Sequence, residues 1–329
     1  MKFAIMLDTN VGSVGRDYPD GAEVRQFYAD LVHLAGYAEQ AGFDGLFVPE
    51  RHVRTDCFAP STLGLLSAFA SITERVDLAS YVLLLPMYPI RALAEDYAQL
   101  DQLSHGRLIA GVGGGYHEGY FTAFETSSAK RGSKLADGVR QLREAWTSGH
   151  IGNTPILPPP YRPGGPPVWI GATTPTGIAR AARLGDAWCV GFADSNFPRY
   201  VENYREACET EQRPATLVML REAWVQSDAR RARQHLDRLA RVVEAEIAFY
   251  RSVGQLELRD DGEGRMHRLV RHMVVGDEAQ ALEHVASVVE RYRPDYFGFR
   301  VHVGMFSRGE AEDCISVLAR VSDAVRGTQ

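Results

Sequence analysis

The sequence has few cysteines, and none of them belongs to a C-x-x-C pair. The four cysteines, Cys57, Cys189, Cys208 and Cys314, are widely spaced in a chain of 329 residues. This spacing argues against a disulfide framework and against a structural zinc site, because both need cysteines in sets. The ten histidines form no cluster with ligand spacing either, so we predict no metal site. Scarce, scattered cysteines fit a reducing compartment, and we expect the protein in the cytoplasm.

Long apolar runs and an excess of positive charge are also lacking. No run approaches the roughly 20 apolar residues of a membrane-spanning helix, and the first residues lack the charged and apolar regions of a signal peptide. The net charge of −6 disfavours nucleic acid as a partner, because phosphate binding needs a basic surface. We therefore expect a soluble protein that binds neither nucleic acid nor membrane. With 45% hydrophobic and 24% charged residues, it can bury a large core.

What the sequence does contain is a repeated alternation of short apolar runs and amphipathic stretches. Continuous apolar runs of this kind are typical of parallel strands that are buried on both faces. The stretches between them carry apolar residues at helix spacing, as Phe27, Leu31 and Leu34 do before Gly42 ends the first one. The predicted strands cover residues 3–7, 44–49, 76–86, 108–113, 168–172, 187–191, 216–225 and 296–303. Later helices are predicted over residues 62–73, 89–103, 133–147, 177–184, 201–210, 278–292 and 311–325.

Strands that alternate with helices in this way predict a (β/α)8 TIM barrel, in one domain over residues 1–329. A doubly wound sheet is the alternative, but it needs a glycine fingerprint after the first strand, and residues 8–15 do not supply one. Residues 226–275 are predicted to form a helical insertion and a polar loop between strands seven and eight. Because barrel enzymes carry their chemistry at the carboxyl ends of the strands, functional residues are expected there.

Glu50 and His52 follow the second predicted strand. A carboxylate and an imidazole at a barrel mouth can form a general acid–base pair, because histidine titrates near neutral pH. The same spacing also fits a surface ion pair between Glu50 and Arg51, with His52 incidental. Spacing alone does not separate the two interpretations.

Two further strand ends predict ligand contacts through the main chain. Residues 113–115 are three consecutive glycines after strand four, which either admit a flat ligand or form a flexible turn. The run matches neither a Walker A loop nor the G-x-G-x-x-G pattern. After strand five, Thr174 is a predicted helix N-cap and Pro175 the first helical residue. The free N–H groups of such a helix start suit a phosphate, although a capped helix without a ligand has the same pattern.

Taken together, these segments resemble the bacterial-luciferase-like flavin-dependent monooxygenase superfamily. The likeness covers nearly the whole chain and is sharpest over residues 39–116 and 166–191. Residues 85–115 contain, in order, the family's Pro-x-Arg, Ala-Glu-Asp, Leu-Asp-x-Leu-Ser-x-Gly-Arg and Gly-x-Gly patterns. Residues 166–188 are similar to the family's phosphate segment after strand five.

The resemblance implies a flavin-type cofactor at the C-terminal mouth of the barrel. Its ring would rest on the ends of strands three and four, where relatives have a non-proline cis peptide bond at the position of Tyr81–Val82. The residues implied for cofactor binding are Tyr81, Val82, Gly113, Gly114, Gly115, Thr173, Thr174, Thr176 and Gly177. The residues expected to line the substrate pocket are Arg54, Tyr116, Arg300 and His302. For Arg300, an ion pair inside the barrel is an equally good interpretation.

One position departs from the family. The luciferase-type motif after strand two is Glu-His-His, and Arg51 stands in place of the first histidine. The base role of that histidine therefore does not carry over. His52 matches the second histidine and is the catalytic candidate, with Glu50 orienting its ring. The Glu-Arg-His version resembles that of flavin monooxygenases in natural-product pathways.

Three functions are compatible with the resemblance. The first is a two-component monooxygenase that inserts one oxygen of O2 into a small organic substrate. It would receive reduced FMN (FMNH2) from a separate flavin reductase, because the sequence shows no nicotinamide-binding fingerprint. The second function is hydride transfer with the deazaflavin F420, as in a sister branch. The third is a non-catalytic flavin-binding protein. Relatives are commonly dimers through the helices next to strands two and three, so a homodimer is expected.

Overall fold

The computed structural model describes residues 1–11, 19–191, 196–236, 238–239 and 272–328. The strands in these residues are β1 Lys2–Asp8, β2 Gly45–Val48, β3 Asp77–Ser80, β4 Leu83–Leu84, β5 Leu108–Gly113, β6 His150–Ile151, β7 Thr154–Pro155, β8 Val168–Gly171, β9 Ala187–Val190, β10 Leu217–Val225, β11 Val274–Gly276 and β12 Tyr296–His302. The α-helices are α1 Gly21–Gln40, α2 Thr62–Ala70, α3 Ile90–Leu103, α4 Glu118–Ala123, α5 Arg131–Ser148, α6 Pro175–Leu184, α7 Phe197–Thr210, α8 Glu278–Tyr292 and α9 Arg308–Arg326.

Eight of the strands close into a barrel. Their order around it is β1, β2, β3, β5, β8, β9, β10 and β12, and β12 pairs with β1 to complete the circle. All of these pairings are parallel. The predicted TIM barrel is therefore confirmed, and the eight strands lie within one or two residues of the predicted ranges except for the third.

The sheet differs from the prediction in three places. The third predicted strand is divided into β3 and β4, with Tyr81 and Val82 between them, and the 3-10 turn Leu85–Met87 follows. β11 pairs in parallel with β10, inside the range predicted as a helical insertion. β6 and β7 form an antiparallel hairpin that was not predicted. Each strand has only two residues, which is too short for an alternating apolar pattern to be recognised. The short helix α4 after β5 was not predicted either.

Alternating side chains of the strands separate two apolar layers. Along β1, Phe3, Ile5 and Leu7 pack with the surrounding helices, whereas Ala4 and Met6 belong to an interior cluster. The buried members of this interior cluster are Ala4, Met6, Phe47, Ala79, Tyr81, Ile109, Trp169, Ala187, Cys189, Val218 and Leu220. Because side chains fill the barrel, a ligand has to bind at its mouth rather than in a channel.

The predicted insertion is described only near its ends. Residues 229–236 are helical, as predicted, and residues 237 and 240–271 lie outside the described residues. Nε2 of His235 lies 3.0 Å from Oε1 of Glu310 at the start of α9, and its ring stacks on Phe306 with centroids 5.3 Å apart. Phe306 in turn contacts Trp224 of β10, with centroids 5.1 Å apart. These contacts join the first helical residues of the insertion to the carboxyl ends of β10 and β12.

The Leu-Asp-x-Leu-Ser-x-Gly-Arg segment holds the opposite end of the barrel together. Arg107, just before β5, donates to the carbonyl oxygens of Ala70 at 3.2 Å, Thr73 at 2.9 Å and Val76 at 3.1 Å. It also donates to the carbonyl oxygen of Ser104 at 2.9 Å. One guanidinium group thus joins the ends of α2 and α3 to the starts of β3 and β5. The motif therefore stabilises the fold and lies away from the mouth of the barrel.

We expect Arg107→Ala to lower the free energy of unfolding by about 2–3 kcal/mol, because several carbonyl groups lose a charged donor together. Urea unfolding followed by circular dichroism measures this loss. The matched control is Arg140→Ala, which removes an exposed pair with Asp137 at 2.8 Å and should cost less than about 0.5 kcal/mol. Equal losses in the two variants would contradict the structural role of Arg107.

Candidate active site

The two segments predicted to hold a cofactor lie side by side at the C-terminal mouth of the barrel. β5 ends in Gly113 and β8 ends in Gly171, and these residues are Cα partners in the parallel pairing. The glycines after β5 and the start of α6 after β8 are therefore neighbours. A planar ring and a phosphate attached to it can reach both segments without crossing the barrel.

The glycine run leaves less space than its sequence indicates. A Cβ atom on Gly113 would lie 2.6 Å from Cγ2 of Val82, and one on Gly171 would lie 3.1 Å from the same atom. Val82 therefore fills the space beside these two glycines. Gly114 is different, because its nearest neighbour would be Arg131 at 3.9 Å. The open main chain that suits a flat ligand is thus centred on Gly114.

Tyr81 has its side chain in the barrel interior and not at the mouth. Its ring stacks on Phe47 with centroids 5.1 Å apart, and its hydroxyl donates to the carbonyl oxygens of Val190 at 3.1 Å and Val218 at 3.2 Å. Burial raises the pKa of Tyr81 well above its usual value. The Tyr81–Val82 peptide bond is cis, as the family resemblance implied. A cofactor at the mouth can meet Tyr81 only through its main chain.

The start of α6 has the predicted form. Oγ1 of Thr174 accepts a hydrogen bond from the N–H of Gly177 at 3.2 Å, so the N-cap prediction is confirmed. Thr173, Thr174 and Thr176 are exposed, while Gly177 is buried. Exposed hydroxyls and the positive end of the helix dipole are what a phosphate group needs.

Two arginines that the sequence analysis missed lie near these segments, Arg131 beside Gly114 and Arg180 in the second turn of α6. Arg180 packs over the first turn of α5, where a Cβ on Gly132 would lie 2.7 Å from its Nη2 atom. Arg131, the residue before Gly132, lies beside Gly114. Burial lowers the pKa of Arg180, and the charge of Arg183 lowers it further. Arg180 follows Thr176 by four residues and so lies on the same helix face, which is the signal that could have identified it.

Glu50 and His52 form a buried pair. The side chain of Glu50 is fully buried and accepts hydrogen bonds from Nε2 of His52 at 2.7 Å, the N–H of Leu84 at 2.9 Å and the hydroxyl of Tyr88 at 2.8 Å. Burial and the Glu50 charge raise the pKa of Tyr88, so its hydroxyl remains a donor. Three donors fix the carboxylate, and the carboxylate fixes the imidazole. The buried position of Glu50 does not agree with the other interpretation of the sequence, a surface ion pair between Glu50 and Arg51.

An aromatic cluster surrounds His52. Its ring contacts Phe124, with centroids 4.6 Å apart, and Tyr120, with centroids 5.9 Å apart. Tyr116 packs against Tyr120 at 5.7 Å, which places this predicted substrate residue in the same cluster. The members of the aromatic cluster are Tyr88, Tyr116, Tyr120, Phe121 and Phe124, together with Leu84 and Met87. Gly115 has φ +72°, and a Cβ there would lie 2.9 Å from the Phe121 ring. Packing within the protein therefore requires a glycine at this position.

A network of charged side chains occupies the opposite side of the mouth. Arg51 donates to both carboxylate oxygens of Asp8, with 3.2 Å between Nη2 and Oδ2. Arg300 donates to Asp8 and to Glu222, and Nε2 of His302 bonds to the other oxygen of Glu222. Burial raises the pKa of Glu222, and the charge of Arg51 opposes that rise. We call Asp8, Arg51, Glu222, Arg300 and His302 the mouth network.

The predicted substrate residues are mostly held in ion pairs. Arg300 and His302 belong to the mouth network, which confirms the ion-pair interpretation of Arg300. Arg54 binds Asp56 through two bonds, Nε–Oδ1 at 2.8 Å and Nη2–Oδ2 at 2.6 Å, and both side chains are buried. Arg51, which replaces the family histidine, serves as a partner of Asp8 rather than as a base.

Sequence reasoning missed two members of this network. Asp8 ends β1, and Glu222 follows Leu220 by two residues on β10 and so shares its inward side. A charged residue at an inward position of a buried strand is uncommon without a partner, and this signal could have identified both. Their partners could not have been identified in this way, because they lie on other strands.

Within the described residues, no three His, Cys, Asp or Glu side chains are grouped as metal ligands. The helices of those same ranges include none with the length and hydropathy needed to cross a bilayer.

Comparisons with known proteins agree with this architecture. An F420-dependent glucose-6-phosphate dehydrogenase of Amycolatopsis mediterranei (strain U-32) is 32% identical over 177 residues, which cover 48% of this chain and 52% of that protein. The chain spans about half the length of this relative and of other curated relatives that it matches.

Two solved structures share the fold over nearly their whole length. Monooxygenase RslO1 of Streptomyces bottropensis has a TM-score of 0.80 at 22% identity, covering 97% of this chain and 98% of that one. The oxygenating constituent of 3,6-diketocamphane monooxygenase from Pseudomonas putida, in complex with FMN, has a TM-score of 0.82 at 15% identity, covering 99% and 98%.

The family model for luciferase-like monooxygenases matches residues 1–293. The chain belongs to the luciferase-like monooxygenase family, whose members include flavin- and F420-dependent oxidoreductases.

Proposed function

We propose that this protein is the oxygenase of a two-component monooxygenase, which takes FMNH2 from a separate reductase and inserts one oxygen atom of O2 into a small organic substrate. The observation that carries the proposal is the adjacency of the open main chain at Gly114 and the start of α6, at the mouth of a barrel of this family. The TM-score of 0.82 with an FMN-bound monooxygenase supports FMN as the cofactor.

The residues around these two segments fit FMN. The ring would lie over Gly114, beside Val82, and the phosphate would meet the first N–H groups of α6 and the hydroxyls of Thr173 and Thr176. Arg131 and Arg180 supply positive charge at the border of both segments. A phosphate dianion near two guanidinium groups and a helix start forms charge-assisted hydrogen bonds, which are the strong ones.

FMNH2, when bound, supplies two electrons to O2, so that one oxygen atom enters the substrate and the other leaves as water. The contribution of His52 is proton transfer at the reacting oxygen. Because Glu50 accepts the Nε2–H of His52, the Nδ1 atom keeps its lone pair in the neutral ring and is the atom that takes up or delivers the proton. The aromatic cluster around His52 keeps water away from this position.

The partners follow from the same proposal. The reduced flavin would come from a separate flavin reductase, because the sequence has no dinucleotide fingerprint with which the chain could bind a nicotinamide cofactor itself. A homodimer through α2 and α3 is also proposed. Ile72, just after α2, is 43% exposed, and Leu103, at the end of α3, is 54% exposed, so each helix carries an apolar side chain that a partner could cover.

Hydride transfer with F420 is the second candidate function, and the Amycolatopsis relative supports it. Titration of the purified protein with FMN, FMNH2 and F420 separates the two candidates. We expect the protein to bind FMNH2 more tightly than F420, as measured under anaerobic conditions by changes in flavin absorbance and fluorescence. Tight F420 binding with negligible FMNH2 affinity would eliminate the monooxygenase.

The Arg180→Ala variant tests the phosphate position. We expect its affinity for FMN to fall about tenfold or more, because a charge-assisted bond to the phosphate is lost. Affinity for riboflavin, which has the same ring but no phosphate, should remain unchanged. Fluorescence quenching of the two flavins measures both, and Arg140→Ala is the control. A parallel loss for riboflavin would show that Arg180 does not meet the phosphate.

The His52→Ala and Glu50→Gln variants test the proton-transfer pair. We expect turnover of a panel of small aldehydes and ketones, in the presence of FMNH2 and O2, to fall by roughly 10²–10⁴-fold in His52→Ala and by less in Glu50→Gln. FMN affinity should persist in both. His33→Ala is the matched control, because it removes an exposed His–Glu pair whose Nε2–Oε1 distance is 2.6 Å. Full turnover by His52→Ala would exclude His52 as the acid–base group.

A further inference from the structure

Three arginines on the proposed substrate side of the mouth, within the described residues, are each bonded to a carboxylate. Arg51 and Arg300 both donate to Asp8, and Arg54 donates through two bonds to Asp56, at 2.8 and 2.6 Å. This contrasts with the proposed cofactor side, where Arg131 lies beside Gly114 and Arg180 lies in the second turn of α6. The two sides of the mouth should therefore differ in their affinity for anions.

The mouth network carries no net charge when Glu222 is ionised and His302 is neutral. Arg51 and Arg300 then contribute two positive charges, and Asp8 and Glu222 contribute two negative ones. Burial favours the neutral form of Glu222, whereas the bond from Arg300 and the charge of Arg51 favour the ionised form. The arginine side chains are only 7% and 11% exposed, so water screens their charges weakly. An anion that binds here must give up its hydration and then compete with a carboxylate for its arginine. The free energy gained when the anion pairs with the arginine is therefore offset by the loss of the existing arginine–carboxylate bond.

Among the described residues, an apolar surface also lies beside the Glu50–His52 pair. The aromatic cluster lies on one side of His52, and Val53 follows His52 with 64% of its surface exposed. Val53 has φ +52°, a left-handed conformation that is strongly disfavoured for a β-branched residue. The bonds of Arg51, His52 and Arg54 to buried carboxylates hold the main chain in this conformation. An apolar side chain is thus presented at the mouth at a conformational cost.

From these observations we propose that the substrate is an uncharged, largely apolar molecule, and that the mouth network discriminates against anionic analogues. The inference rests on the proposed function, since it concerns the substrate of the same site. It also distinguishes this chain from the Amycolatopsis relative, whose name specifies a phosphorylated sugar. A neutral carbonyl or hydroxyl group can still accept or donate a hydrogen bond at the network without breaking an ion pair.

Isothermal titration calorimetry on the purified protein, with and without FMN, tests the substrate class. The probes are 2-naphthaldehyde, its carboxylated analogue 6-formyl-2-naphthoate, and glucose 6-phosphate. We expect the neutral aldehyde to bind at least tenfold more tightly than its carboxylate, and glucose 6-phosphate not to bind. A preference for the neutral aldehyde below tenfold overturns the inference, and so does binding of glucose 6-phosphate or the absence of binding by the neutral aldehyde.

The Glu222→Gln variant tests the network itself. It removes the carboxylate that Arg300 and His302 bind, at nearly constant shape, and leaves two arginines with one carboxylate. We expect the preference for the neutral probe over its carboxylate to fall at least fivefold. Glu312→Gln, which alters the exposed pair with His33, should leave the preference unchanged. An unchanged preference in folded Glu222→Gln contradicts the role of the network. If circular dichroism shows that this variant is unfolded, the wild-type comparison decides.

The Val53→Gly variant tests the apolar contact. Glycine adopts positive φ at little cost, so we expect a melting temperature no lower than that of the wild type. Affinity for 2-naphthaldehyde should fall about three- to tenfold, because buried apolar contact is lost. Unchanged affinity would remove Val53 from the binding surface.

The same samples separate this inference from the proposed function. FMN, FMNH2 and F420 are titrated independently of the naphthalene probes. Failure of every flavin to bind refutes the proposed function, whereas a neutral-to-anion preference below tenfold in protein that does bind flavin refutes only the substrate class.

Discussion

Asp8 ends the first strand with a fully buried carboxylate, and such a group remains an anion only where cations and donors replace its hydration. Arg51 supplies them from the end of β2 and Arg300 from β12, so the charge of Asp8 fixes side chains on both neighbouring strands. Arg51 is followed at once by His52, whose ring is held by Glu50. The direction of the loop after β2, and with it the position of the Glu50–His52 pair, therefore depends on the charge of Asp8.

The arrangement also explains why an arginine can replace a histidine in the family motif. The position of the first histidine in the motif lies next to a carboxylate at the end of β1, and arginine can donate to both oxygens of that carboxylate at once. A histidine there would offer at most one such bond at a time. The replacement converts a position suited to proton transfer into one suited to holding charge, and it leaves His52 as the histidine of that motif.

The sequence predicts the barrel well because its signals are local. Apolar runs identify the strands, and Arg107 lies in a motif whose donors and acceptors are mostly within about forty residues of one another. The Thr174 N-cap is predicted for the same reason. The mouth network is not local, since Asp8 and Arg300 are 292 positions apart. The sequence identifies each of Arg54, Arg300 and His302 as a strand-end residue, but their bonds depend on which strands become neighbours. It also cannot show that Val82 fills the space beside Gly113.

The segments proposed to hold the cofactor and the mouth network lie on different strands of the barrel. The open main chain at Gly114 and the start of α6 follow β5 and β8, whereas the mouth network belongs to β1, β10, β12 and the loop after β2. Substitutions in the mouth network need not disturb the proposed cofactor segments, because these two sets share no strand. Tyr116 differs in this respect, since it follows β5 together with Gly114. Under the proposed function, a lineage with this barrel can acquire new substrates through the mouth network while its redox chemistry is inherited unchanged, and directed evolution can place its first libraries in four segments of the chain.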